Sequence, residues 1–160
     1  MGDTPHPFLM TASVPDEMIR LDPGGEWAAW SGVDCTAGGG RVSVVLVSIA
    51  VAALDPVPRA PREALKAALA ARHPARAGVV DEFSTADGNP ALRVRGTVTQ
   101  QVNGHPVTTG QAQALVVFPG AGALGVVSAV CPDPADLDRA AALTAQIAAG
   151  MTVTAAPAAA

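Results

Sequence analysis

The residues of this 160-residue chain with side chains suited to chemistry are two cysteines, three histidines and a short run of aspartates. A thiol nucleophile needs a base within hydrogen-bond reach. His105 with Cys35 or Cys131 is the combination to consider. His105 follows Asn103-Gly104, a hairpin turn signal, so it is expected in solvent and apart from both thiols. Zinc would need clustered ligands. The chain has no Cys-x-x-Cys, and His6, His73 and His105 stand singly. Asp133, Asp136 and Asp138 precede or open an apolar helical pattern, where acids are expected because they complement the helix dipole. Ala37-Gly38-Gly39-Gly40-Arg41 lacks the Lys-Ser/Thr of a phosphate loop and leads into a strand, so it reads as a turn. We therefore expect no catalytic, cofactor or metal residues and no enzymatic activity.

The cysteines are expected reduced, with Cys131 acting as a small apolar residue that closes a strand. An oxidising compartment would allow one pairing, Cys35 with Cys131. Trp27 and Trp30 are the candidate partner-binding residues. They either cover one end of the core or anchor a partner, since tryptophan is enriched at binding hot spots.

The elements that must position these residues centre on Asn89 to Val130. Leu92, Val94, Val98 and Val102 alternate with Arg93, Arg95, Thr97, Thr99 and Gln101, the period-two pattern of a strand. After Asn103-Gly104 the chain returns from Pro106 to Phe118. It turns again at Pro119-Gly120-Ala121-Gly122 and continues from Leu124 to Val130. Arg41 to Ala53 is apolar on both sides, the mark of a central strand covered on both faces. Phe8 to Val14 and Val79 to Ser84 read as further strands. Asp22-Pro23-Gly24-Gly25 reads as a loop, and Glu26 to Trp30 is open between helix, strand and irregular chain.

Two helices are expected. Arg62 to Arg72 follows Pro61 and puts Leu65 and Leu69 on one side. Pro134 to Ala149 has Asp133 as its cap, Ala140, Leu143 and Ile147 on one side, and Gly150 as its stop. Met151 and Val153 suggest a last short strand. The predicted fold is α+β: a mainly antiparallel sheet packed against two main helices, an α/β/α sandwich. Residues 1–154 are expected to form one domain, with 155–160 as a disordered tail.

Composition narrows the classes. Hydrophobic residues make up 49 % and charged residues 15 %, which places the chain among globular proteins. The net charge of −4 argues against a nucleic-acid partner, which needs a basic face. One lysine against nine arginines is a coding bias without functional content. Val42 to Leu54, the most apolar run, is well short of the ~20 residues that span a bilayer. No basic-then-apolar leader opens the chain, so a cytoplasmic protein is expected. A secreted or lipoprotein chain whose leader had been removed would read the same.

The segments Asp87-Gly88-Asn89-Pro90-Ala91-Leu92-Arg93-Val94, Asn103-Gly104-His105-Pro106-Val107, Ala114-Leu115-Val116-Val117-Phe118-Pro119 and Cys131-Pro132-Asp133-Pro134-Ala135-Asp136 resemble the Mog1/PsbP-like superfamily, in particular its small bacterial members, which include actinobacterial lipoprotein-type and DcrB-like proteins. The match covers Val42 to Val153. The resemblance implies a binding or assembly module, and no partner-binding residue carries over with it. We thus expect a non-enzymatic accessory module with a protein partner. The alternative is a carrier of a small apolar ligand or lipid in a pocket between sheet and helix.

Overall fold

In the computed structural model, residues 8–12, 14, 18–21, 28–38, 40–54, 59–60, 63, 65–66 and 79–155 are described. Alternating and valine-rich runs separated by tight turns make nine strands. These are β1 (Phe8–Thr11), β2 (Ile19–Leu21), β3 (Ala28–Gly38), β4 (Arg41–Ala53), β5 (Val79–Ser84), β6 (Pro90–Val102), β7 (His105–Phe118), β8 (Ala123–Cys131) and β9 (Thr152–Ala155). A 3-10 turn (Pro134–Asp136) leads into a 13-residue helix, α1 (Leu137–Ala149). Glu63, Leu65 and Lys66 are also helical; the rest of the helix expected over 62–72 lies outside the described residues.

Seven strands form one antiparallel sheet in the order β2-β3-β4-β8-β7-β6-β5, and β1 pairs with β9 in a separate ribbon. The sheet curls into a half-barrel. This corrects the expected sandwich with two main helices. Among the described residues the fold is mostly strand with α1 as its one long helix, and α1 covers a single face. The expectation failed because the apolar run of β4 predicts cover on both faces, whereas Val42 and Leu46 are exposed on the side away from α1. It failed too at β3, whose Ala, Gly, Ser and Asp have low strand propensity. Pairing along β4 from Gly38↔Arg41 to Trp30↔Ile49 holds those residues extended.

The Asn103-Gly104 turn has φ values of 52° and 79°, the positive pair that a two-residue hairpin needs. Helix α1 is alanine-rich, a strong helix former. The Asp133 carboxylate accepts from the Ala135 N–H at 2.9 Å and caps the turn.

Paired residues on neighbouring strands share a face. One face, the helix face, carries Val45, Val47, Ile49, Ala112, Ala114, Val116 and Val127 against Ala140, Leu143 and Ile147 of α1 and against Met151 and Val153. The small alanines let the helix sit close to the sheet. The other face, the far face, has a smaller core of Leu92, Leu115 and Val117 under Leu65. Residues 156–160 lie outside the described residues, and Ala155 closes β9.

Candidate functional site

The register of the sheet defines the far face. Ile19, Val33, Leu46, Val130, Gln111 and Gly96 are partners across six successive strands, so their side chains project to the same side. Stepping by two along each strand adds Cys35, Val42, Val44, Ser48, Ser128, Gln113, Val107, His105, Val94, Val98 and Val102. From β3 across β4, β8 and β7 to β6, that set contains no Asp, Glu, Lys or Arg. The exposed large hydrophobic residues among those described are Ile19, Val42, Leu46, Val102 and Val107, and all five lie on this face. Val42 is the most exposed, at 65 %. Scattered exposed apolar residues are ordinary; their collection on one face without charge from β3 to β6 is not.

A pocket of about 160 Å³ opens on the same face. Val94 and Val98 of β6, Gln111 and Gln113 of β7, and Ser128 and Val130 of β8 line it around Gly96. Gln113 Nε2 donates to Ser128 Oγ at 3.1 Å and ties β7 to β8 beneath it. No residue of α1 lines the pocket. This cavity is not the one considered between sheet and helix: its lining lies on strands β6, β7 and β8.

On the helix face, by contrast, several charged side chains gather around α1. Asp34 and Arg139 pair at 2.5 Å, both largely buried, between β3 and α1. The contact is close but misaligned, and neither terminal nitrogen of Arg139 makes a well-formed hydrogen bond among the described residues. Ser43 Oγ donates to Asp136 Oδ1 at 2.8 Å. Arg95 pairs with the exposed Asp138 at 2.6 Å, and Arg93 donates to the Ala141 carbonyl at 3.4 Å. Asp133, Asp136 and Asp138 thus serve three separate contacts: a cap, a tie to β4 and a tie to β6. Among the described residues no group of three or more His, Cys, Asp or Glu gathers as metal ligands would.

Both cysteines are free thiols. Cys131 is buried on the helix face. Cys35 is exposed on the far face, opposite Val44 in register. Burial, followed by the nearby Asp136 carboxylate, raises the Cys131 pKa above its ordinary 9.0. His105 is at the far tip of the β6–β7 hairpin, on the face away from Cys131 and with β4 and β8 between it and the strand of Cys35. The fold does not bring this thiol–imidazole combination together. Trp27 lies outside the described residues, and Trp30 stands in β3 opposite Ile49.

Lys66 bonds Glu82 at 2.5 Å, and that bond, with the charge of Glu63, raises its pKa above 10.5. Among the described residues no helix is long and apolar enough to cross a membrane.

No protein-family model matches the chain, and no curated protein does. Its fold is similar to the crystal structure of LpqN, involved in cell envelope biogenesis of Mycobacterium tuberculosis. The two are 18 % identical with a TM-score of 0.60, over 94 % of this chain and 86 % of that one. At this identity the likeness is one of fold.

Proposed function

We propose that this protein is a non-enzymatic accessory module of cell-envelope biogenesis that engages a protein partner through the far face of its sheet. The observation that carries the reading is the distribution of charge. Asp34, Arg93, Arg95, Asp136, Asp138 and Arg139 serve contacts around α1, while from β3 to β6 the far face with the exposed valines and leucine carries no ionised side chain; the Lys66–Glu82 pair stands at its β5 edge. A solvent-facing sheet surface is ordinarily polar. The core of a protein interface is depleted of charge. The far face has the second composition.

The envelope setting is taken over from the similar fold and replaces the cytoplasmic setting expected from the sequence. The test is photo-crosslinking in the producing cells, with p-benzoylphenylalanine placed at Val42 or Leu46 on the far face and at Ala142 on the exposed side of α1. The reading expects one discrete protein adduct from positions 42 and 46 and none from 142. Adducts absent everywhere, or equal at all three positions, would remove it.

A further inference from the structure

The pocket around Gly96 has a size that selects its occupant. Sites that enclose a whole small-molecule ligand run to about 300–1,000 Å³. An apolar cavity of about 150 Å³ takes one benzene-sized ring. At about 160 Å³ the pocket is of the second kind, too small for a lipid or a drug-sized molecule and large enough for one side chain. The side chains that project into it from the far face are Val94, Val98, Val130, Gln111, Gln113 and Ser128, all uncharged. Arg95 also borders it, but its guanidinium is turned to the helix face, where it pairs with Asp138.

Its position fits the same occupant. Leu46 is next to Val130 in register on one flank, and Val102 and Val107 follow along β6 and β7 on the other. The pocket therefore has exposed apolar residues beside it and further along the same face, the setting of an anchor pocket in a protein interface.

We propose that this pocket is the socket for a single large uncharged side chain, aromatic or branched, presented by the partner. The proposal rests on the binding-face reading and adds to it where the partner is gripped and by what.

The test uses blocked amino acids as probes. Amide shifts of the full chain are followed by NMR during titration with N-acetyl-phenylalaninamide, N-acetyl-leucinamide, N-acetyl-lysinamide and 1-octanol. Saturable shifts centred on Gly96 and Ser128 are expected with the first two and not with the lysine probe. Ser128→Leu fills the socket and weakens that binding about tenfold or more; Val130→Phe does the same should the first variant fail to fold. No saturable shift with either apolar amide would overturn the proposal. So would octanol that saturates the site and resists displacement by them, which would mark a lipid pocket.

Crosslinking from position 46 separates the two readings. If it persists while the probes leave Gly96 unmoved, the socket falls and the binding face stands. If position 46 gives no adduct, both fall.

Discussion

Asp34 of β3 and Arg139 of α1 stand 2.5 Å apart, carboxylate to guanidinium, with Asp34 10 % and Arg139 28 % exposed. Together with Ser43 and Asp136 they fasten the β3–β4 hairpin to the start of the helix. Breaking a buried pair leaves a charge without compensation and costs about 3–5 kcal/mol. The partial exposure of Arg139 reduces that. Asp34→Ala should lose roughly 2–3 kcal/mol in urea unfolding, and the double change Asp34→Leu with Arg139→Met should recover most of it. A double variant no more stable than the single one would show that the pair does more than neutralise itself.

Gly110 and Cys131 are register partners with no room for a methyl group between them. A Cβ at position 110 would stand 2.5 Å from the Cys131 sulfur. Gly110→Ala should cost about 1–3 kcal/mol, the range for overpacking a filled core. Cys131→Ala in the same chain should return much of that, because it removes the obstructing atom. The comparison is of thermal melting among the two single variants and the double.

The two thiols should separate in reactivity. Cys35 is exposed and should alkylate in the native protein at neutral pH. Cys131 is buried, its pKa is raised, and it should alkylate only as the chain unfolds. The raised pKa also fixes a pH dependence. Above the ordinary thiol value of 9.0 the unfolded chain loses this proton while the folded chain keeps it. The unfolded state then binds fewer protons, so this group's contribution to stability is full below that pH and is lost as the pH rises through the folded pKa. Cys131→Ala should flatten that part of the stability curve; an unchanged alkaline fall would assign it to other groups.

Charges placed on the far face should leave the fold intact. Val42 is 65 % and Leu46 43 % exposed. Val42→Asp and Leu46→Asp should each shift stability by no more than about ±0.5 kcal/mol, as surface changes usually do. Both should shorten retention on a hydrophobic-interaction column. A large loss of stability from either would mean that the chain itself needs this surface apolar.

Much of the sheet was legible in the sequence. β4 and β5 fall on the predicted residues, and β6, β7 and β8 lie within a residue of prediction, because alternation and the Asn-Gly and Pro-Gly turns act locally. The assignment of faces was less legible. Alternation groups Leu92 with Val94 and Arg93 with Arg95, but it does not say which group receives the helix. The arginines face α1 here, reaching Ala141 and Asp138, while Val102 is left exposed. β3 was missed because its stability comes from a partner strand rather than from its own residues. The far face needed the register of six strands before its lack of charge could be seen. Asp34 and Arg139 had no local signal, since an acid in a strand and a base in a helix are each unremarked until the fold joins them.

The order of the strands makes the chain two pieces. β2, β3 and β4 are neighbours in sequence and in the sheet, and so are β5, β6, β7 and β8. Among the described residues, the contacts between the pieces include the β4–β8 ladder, the β1–β9 ribbon, the packing of β4 against α1 and the contacts of Asp34 with Arg139 and Ser43 with Asp136. A cut between Ala53 and Val79 would leave each fragment its own hairpins. Bringing β4 to β8 closes the long loop whose entropy slows non-local pairing. Two separately produced fragments should therefore reassemble on mixing, and the rate of that complementation would report directly on the zipping of β4 onto β8.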